Sequence, residues 1–211
     1  MESELLSALV GGVIGVVGTI ITQRGAKIVK ESELRQTEKQ AKRGILTEVY
    51  KSLISVVDLY PEESPNDILE HIQYGPNYSL ESYDAIFNIL DIKLEDYKEQ
   101  LKIVNIDYQR RADIEVEISN INYAKDKLEM NRDSYYKAVK EYASFLDSDK
   151  TVFELYASQS VKNCLVRFEV IIHNVFISGY SAMIPDNQNE NIIKMRRREL
   201  IQAMRDDIGI V

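Results

Sequence analysis

Several residue types that carry chemistry are scarce in this chain. Its 211 residues include one cysteine, two histidines and no tryptophan. The single Cys164 excludes a disulfide within the chain, as is typical of a protein in a reducing compartment. The sequence contains no P-loop, HExxH zinc motif, nucleophile elbow or protein-kinase signature. We therefore predict that the protein is not an enzyme, and its residues indicate no cofactor.

The candidate metal ligands lack the partners that a metal site needs. Glu169 and His173 lie one helical turn apart, but no second pair of this kind occurs in the sequence. Asp147 and Asp149 lack the glycine and the terminal glutamate of a calcium loop. We predict no metal site, and we interpret the segment around Asp147 as helix capping.

Glycine and proline are also scarce, with nine and four residues respectively. Neither occurs between Pro76 and Gly179, a distance of more than a hundred residues. Because these two residues mark turns and loops, their absence predicts long uninterrupted helices. The protein is therefore predicted to be all-α.

The N-terminal segment lacks charge over a length that suits a membrane. Residues 5–23 form a 19-residue run without a charged side chain, in a chain whose charged content is 28%. As an α-helix this run is roughly 28 Å long, close to the thickness of the hydrocarbon core of a bilayer. We predict a transmembrane helix over residues 1–23. The alternatives are a cleavable signal peptide and, because glycines lower the apolarity, a buried helix of a soluble domain.

The charges on the two sides of this run are asymmetric. Glu2 and Glu4 precede it, whereas residues 24–43 carry seven basic and three acidic side chains. By the positive-inside rule, this asymmetry predicts a single-pass protein with its N terminus outside and its C terminus in the cytoplasm.

Residues 24–60 are predicted to form a basic juxtamembrane collar and the first cytosolic helix. The net charge of residues 24–43 is +4, whereas the chain as a whole carries −8. A basic segment beside a membrane span suits anionic lipid head groups, so membrane lipids are expected partners. The acidic remainder argues against a large nucleic-acid surface.

Small residues line one face of the predicted transmembrane helix. They recur at helical spacing and are Ala8, Gly11, Gly12, Gly15, Gly18, Thr19 and Thr22. Such a face lets helices pack closely in lipid, and Gly11 and Gly15 form a minimal GxxxG motif. The pattern is compatible with a simple anchor, or with a homo-oligomer whose helices pack in a seam or around a pore.

Residues 61–211 are predicted to form a cytosolic helical bundle. One apolar stripe with spacings of four and three consists of Leu90, Leu94, Tyr97, Leu101, Val104 and Tyr108. A second stripe consists of Ile114, Ile118, Ile121, Lys125, Leu128, Arg132, Tyr135, Val139, Tyr142 and Leu146. Because the two stripes are out of phase, we expect a long helical hairpin with a break between residues 105 and 113. A single long stalk is the alternative.

The centre of the bundle is expected to be an amphipathic helix that Ser158 or Ser160 caps. Its apolar residues are Val161, Cys164, Leu165, Phe168, Ile171, Ile172, Val175 and Phe176. A polar loop over residues 185–191 then leads to the last helix, predicted over residues 190–208.

Two groups of arginines are candidate ligand-binding residues. Arg110 and Arg111 lie at the predicted tip of the hairpin. Arg196, Arg197 and Arg198 open the last helix. One interpretation is an ion-paired or solvated surface. The other is a site for phosphate or a nucleotide, because guanidinium groups bind anionic oxygens in pairs.

The layout of the chain resembles a group of small bacterial membrane proteins, the effectors of anti-phage defence systems. The resemblance rests on the glycine-rich span, the basic collar, the helical body and the tail at residues 197–209, which reads RRELIQAMRDDIG. It implies a homo-oligomer in the bacterial inner membrane that acts as a gated channel or disrupts the membrane. The activating signal would be a nucleotide or oligonucleotide made by a partner enzyme. The alternative from a different class is a membrane-tethered scaffold or adaptor whose helices bind a protein partner.

Overall fold

A computed structural model describes the backbone of residues 2–184 and 187–210, and the side chains of residues 27, 29–184 and 190–210. The prediction of an all-α protein is confirmed, because helices account for most of the described residues. The helices are α1 (Glu2–Val57), α2 (Pro65–Leu69), α3 (Tyr83–Leu101), α4 (Tyr108–Ser148), α5 (Lys150–Tyr156), α6 (Gln159–Phe176) and α7 (Ile192–Ile208).

The chain divides into two units, residues 1–47 and residues 48–211. In the first unit, every side chain from Val29 to Ile45 is exposed. The sequence there is mostly polar, and acidic residues precede basic ones by four positions at Glu31 and Arg35, and again at Glu38 and Lys42. This spacing stabilises a helix that has no packed face.

The predicted transmembrane helix over residues 1–23, with its small-residue face, lies outside the residues whose side chains are described. Across the part of the chain that the structure does describe, no helix has the length and apolarity of a candidate membrane span.

The second unit, residues 48–211, is a helical domain that we call the body. Its first short helix, α2, begins where a serine precedes a proline. Ser64 Oγ accepts a hydrogen bond from the backbone N–H of Asn66 at 3.1 Å, and Pro65 occupies the first helical position. Ser64 Oγ also donates to the carbonyl oxygen of Tyr180 at 2.9 Å, which fixes α2 to the segment that follows α6.

Helices α3 and α4 pack together as a hairpin. Helix α3 ends at Leu101. Asp107 caps the start of α4, because its Oδ2 accepts hydrogen bonds from the backbone N–H groups of Gln109 and Arg110 at 3.0 and 3.3 Å. The helix therefore breaks at residues 102–107, slightly earlier than predicted. Val104 and Tyr108, which the first stripe includes, are 93% and 84% exposed because they lie at this break.

The buried stripe of α4 differs from the predicted one at every second position. Ile114, Ile121, Leu128 and Tyr135 are buried as predicted, but Lys125, Arg132, Val139 and Leu146 are not. The residues that precede those four are buried instead, namely Ala124, Asn131, Ala138 and Phe145. Two of these are alanines, which allow neighbouring elements to approach closely. The long cationic side chains lie at the edge of the interface, where Arg132 covers the ring of Tyr83 at 4.3 Å.

The core has a first cluster around α2, α3 and α4. Its fully buried residues include Ile68, Leu90 and Ile121. The predicted stripe of α6 is confirmed as another part of the core, with buried Val161, Leu165, Phe168, Ile172, Val175 and Phe176. Cys164 and Ile171 in the same stripe are half-buried. Ser158 is the cap, since its Oγ accepts the backbone N–H of Val161 at 3.4 Å.

A short strand pair stands where the sequence predicted only a polar loop. Strands β1 (Met183–Ile184) and β2 (Asn187–Asn191) are antiparallel, with Met183 opposite Asn191. The prediction failed because asparagine is depleted in strands and the segment shows no alternation of apolar and polar residues. Asn191 then caps α7, because its Oδ1 accepts the backbone N–H groups of Ile193 and Lys194 at 3.0 Å.

Gly179 allows the segment after α6 to pass close to the segment before α3. Its φ of +76° lies in the left-handed region, and a Cβ at this position would lie 1.8 Å from the carbonyl oxygen of Tyr78. Leu80 N donates to the carbonyl oxygen of Ile177 at 3.2 Å in the same crossing. Only glycine fits here, both by conformation and by space.

Candidate functional site

The three consecutive arginines of α7 do not converge on one site. Successive residues of an α-helix point about 100° apart, so neighbouring side chains face different surroundings. Arg196 Nη1 donates to Glu199 Oε2 at 2.8 Å, within the same helix. Arg198 is exposed, and its Nε donates only weakly, at 3.4 Å, to the carbonyl oxygen of Lys194.

Arg197 is part of the fold rather than of an open surface. Its side chain is 12% exposed. Its guanidinium donates to the carbonyl oxygen of Tyr60 at 2.7 Å and to Glu62 Oε1 at 2.9 Å. Glu62 also pairs with Lys194 at 2.7 Å. The hydrogen bond from Lys194 is the main reason that the pKa of Glu62 is lowered, with further contributions from the charges of Lys194 and Arg197.

The other predicted pair, Arg110 and Arg111, lies in the first turn of α4. Arg110 Nη2 donates to Gln100 Oε1 at 2.9 Å, and Arg111 is exposed. The adjacent hairpin tip, residues 102–108, exposes Val104 and Tyr108. Within the predicted site residues, Arg110, Arg111 and Arg198 therefore present accessible guanidinium groups, and Arg197 does not.

The body contains a cavity of about 240 Å³ that was not predicted from the sequence. It lies where the chain leaves α1 and meets α4 and α6. The residues that give it its chemical character are Tyr60, Tyr135, Tyr142, Phe168, Glu169 and His173. The remaining lining residues are aliphatic.

Aromatic rings form much of the cavity wall and hold one another in place. The rings of Tyr60 and Phe168 meet edge to face, with centroids 5.7 Å apart. Tyr60 and Tyr135 meet at 6.2 Å, also edge to face, and Tyr135 stacks on Phe176 at 5.2 Å. The edge-to-face contacts fix ring orientation, because the positive edge of one ring faces the negative face of the next.

Polar groups from two helices and the segment after α1 converge on this cavity. Tyr142 Oη donates a hydrogen bond to Glu169 Oε1. Burial raises the pKa of Tyr142, and the hydrogen bond to Glu169 raises it further. Burial also raises the pKa of Tyr60 to about 12, with smaller effects from Tyr135 and Glu169. Both phenols therefore keep their protons at neutral pH.

Tyr60 has an unused hydrogen-bonding group at this site. The residue is only 8% exposed. Within the described part of the chain, no side chain or backbone group forms a hydrogen bond with its hydroxyl. The hydroxyl is therefore free to form a hydrogen bond with a molecule that enters the cavity.

The sequence held a partial signal for this cavity. Glu169 and His173 share one face of α6, and the tyrosines at 135 and 142 are two helical turns apart on α4. Tyr60, however, is distant in sequence, and no pattern placed it beside α6. The prediction that Glu169 and His173 bind no metal stays a prediction, although no cluster of metal-ligand type occurs among the residues whose positions are described.

Comparison of this chain with protein-family models, with curated proteins and with solved structures finds no match.

Proposed function

We propose that this protein is an oligomeric effector of the bacterial inner membrane, active in anti-phage defence as a gated channel or a membrane-disrupting protein. The observation that carries this proposal is the uncharged run at residues 5–23 followed by an exposed basic stretch of α1. The run suits a single crossing of the bilayer, and the charge asymmetry suits a body on the cytoplasmic side. The proposal does not involve enzymatic activity.

The exposure of the collar supports a membrane-proximal position. Basic side chains that project from this part of α1 into solvent are Lys27, Lys30, Arg35, Lys39, Lys42 and Arg43. Near an anionic membrane surface, each such residue contributes about 1 kcal/mol of attraction. An exposed basic helix beside an apolar run is therefore well suited to hold the chain at a lipid surface.

Oligomerisation is proposed to occur through the small-residue face of the predicted span. Glycines at positions 11 and 15 would let helix backbones approach closely, and copies packed in this way can surround a pore. The signal that opens the pore is proposed to be a nucleotide or oligonucleotide. Exposed Arg198, Arg110 and Arg111 are its candidate contacts, because guanidinium groups pair with phosphate oxygens.

The experiment that tests this proposal places charge in the predicted span. Val13→Arg together with Val16→Arg costs about 2.5–3.5 kcal/mol per residue at the centre of a membrane helix, and leaves the body unchanged. We expect the wild-type chain to depolarise the bacterial membrane when overproduced, as measured with a potential-sensitive dye. The double arginine variant should lose this effect and appear in the soluble fraction.

The matched control is Val13→Leu with Val16→Leu, which keeps the run apolar. It should behave as the wild type does. Absence of depolarisation by the wild type, together with absence of leakage from liposomes that contain it, would contradict the effector proposal.

A membrane-tethered scaffold is the second candidate, and the hairpin tip favours it. The exposed apolar surface at this tip comes from Ile103, Val104 and Tyr108, which are not buried against the rest of the body. Exposed apolar residues of this kind are typical of protein contact sites. A photo-crosslinking residue at Val104 should capture one discrete partner in cells, whereas the same residue at solvent-exposed Glu115 should not. Capture at both positions would argue against a specific partner.

A further inference from the structure

We propose that the cavity between α4, α6 and the end of α1 binds a small organic ammonium ion with an apolar or aromatic body. This site goes beyond the proposed membrane function and does not depend on it. Three features of the cavity carry the inference: its aromatic walls, its carboxyl group without a lysine or arginine beside it, and its size.

The aromatic walls attract cations. Ring faces are electron-rich, so they attract a cation that lies within about 6 Å of the ring centroid, and the attraction is stronger when water is excluded. Tyr60, Tyr135, Tyr142 and Phe168 all line the cavity, and the edge-to-face contacts of Tyr60 hold its ring in place. Binding therefore requires little reorganisation of the wall.

The cavity is lined by one carboxyl group, Glu169, and one imidazole, His173. Glu169 supplies a carboxylate, and the described lining residues include neither lysine nor arginine. Glu169 Oε1 accepts the hydroxyl of Tyr142, whereas Oε2 has no partner within residues 29–184 or 190–210. A carboxylate oxygen without a cation beside it favours a positive ligand and repels phosphate. The cavity is thus unsuited to the nucleotide signal, which needs a different surface.

A second group is positioned to bind the same ligand. Tyr60 lines the same cavity as Glu169, and its hydroxyl has no hydrogen-bond partner among the described residues. Its oxygen can accept a hydrogen bond from an ammonium N–H while the carboxylate accepts another. The ammonium group of the ligand would therefore lie between Tyr60 and Glu169.

The size of the cavity limits the ligand. A dry cavity of about 150 Å³ holds benzene. The cavity here, at about 240 Å³, has room for one ring with a short charged arm. Phenethylammonium has this size and charge, and it serves as the probe.

The test compares three probes of nearly equal shape: phenethylammonium, the neutral 2-phenylethanol and the anionic phenylacetate. Affinities are measured by ligand-observed NMR titration of the full chain in a non-ionic maltoside detergent, with protein-free micelles as the blank. We expect phenethylammonium to bind at least ten-fold more tightly than the alcohol, and phenylacetate to bind more weakly than either.

Glu169→Gln separates charge from shape. The glutamine carbonyl can still accept the Tyr142 hydroxyl, so the cavity wall is kept. We expect this variant to bind the cation about ten-fold more weakly and the alcohol with unchanged affinity, which also reports that the cavity is intact. Glu115→Gln removes an exposed carboxylate of α4 that does not line the cavity. It should change the affinity for neither the cation nor the alcohol. Equal affinities for the three probes, loss of the alcohol together with the cation in Glu169→Gln, or absence of cation binding would each overturn the proposal.

Discussion

Tyr50 Oη donates a hydrogen bond of 2.5 Å to Asp207 Oδ2. The same carboxylate oxygen accepts the backbone N–H of Ser158 at 3.0 Å. Asp207 thereby joins the end of α1, the start of α6 and the last turns of α7. Burial raises the pKa of Tyr50, and the hydrogen bond to Asp207 raises it further, so the phenol stays protonated and continues to donate.

Tyr50→Phe should destabilise the body by about 1.5–3 kcal/mol, because it removes a hydrogen bond to a charged acceptor and leaves that acceptor partly unsatisfied. Urea unfolding of the full chain, followed by circular dichroism, measures the change. Tyr136→Phe is the control, since Tyr136 is exposed and its hydroxyl forms no hydrogen bond with the described residues. Equal unfolding midpoints for the two variants would contradict the role of Asp207.

Arg197→Met should cost about 2–3 kcal/mol of stability, because it leaves the carbonyl oxygen of Tyr60 without its donor and Glu62 with Lys194 alone. Arg198→Met should change stability by less than about 0.5 kcal/mol, as is usual for an exposed residue. Differential scanning calorimetry of the two variants tests the contrast. If both melt at the wild-type temperature, Arg197 does not hold α7 against the segment after α1.

Phe168→Ala should destabilise the body by about 3–5 kcal/mol, as large-to-small changes of buried aromatic residues do. Phe168 is almost fully buried and contacts Tyr60 edge to face. Val170→Ala, on the exposed side of the same helix, is the matched control and should have little effect. Chemical denaturation gives both values, and a midpoint unmoved by Phe168→Ala would remove this residue from the core.

Stability should fall as the pH rises above about 10. Tyr60 and Tyr78 have pKa values raised to about 12 by burial, whereas tyrosines of the unfolded chain ionise near pH 10. The unfolded state therefore loses protons first, so the stabilisation is complete below about pH 10 and is lost as the pH approaches 12.

Urea midpoints at pH 8, 10 and 11 test this dependence. Because lysines also titrate in this range, Tyr60→Phe provides the comparison. Its urea midpoint should fall less than that of the wild type when the pH rises from 8 to 11. Parallel losses in the two proteins would show that Tyr60 does not contribute.

Gly11→Leu and Gly15→Leu should lower the oligomeric state in detergent while keeping the chain in the membrane. Leucine increases the apolarity of the predicted span, but its bulk prevents close approach of helices. Size exclusion with light scattering measures the mass. Val16→Leu, on another face of the same helix, is the control, and an unchanged mass in all three variants would exclude the glycine face as the seam.

Local chemistry predicted much of the fold. The scarcity of glycine and proline indicated the helices, and α6 has its predicted stripe and one of its two predicted caps, Ser158. The sequence did not predict which residues of α4 are buried at every second position of the stripe. A repeat of alternating three and four residues fits either Ala124 or Lys125. Burial of the smaller Ala124 depends on how closely the neighbouring elements approach, which is a property of the packed body.

The sites were harder to predict for a related reason. A cluster of arginines indicates anion binding, yet Arg197 finds its anion in Glu62, 135 positions earlier. Similarly, the cavity combines Tyr60 with residues of α4 and α6. Neither relationship has a local spacing, so only the folded chain reveals which charged groups are satisfied and which are open.

The body is completed by residues that the ribosome makes long after their partners. Tyr50 and Asp207 are 157 positions apart. At a synthesis rate of about 5–20 residues per second, roughly 8–30 s pass between the two. During that interval Tyr50 and Glu62 are without the partners that α7 supplies. If the N-terminal run enters the membrane during synthesis, insertion precedes completion of the body, which becomes fully packed only when its last helix has docked.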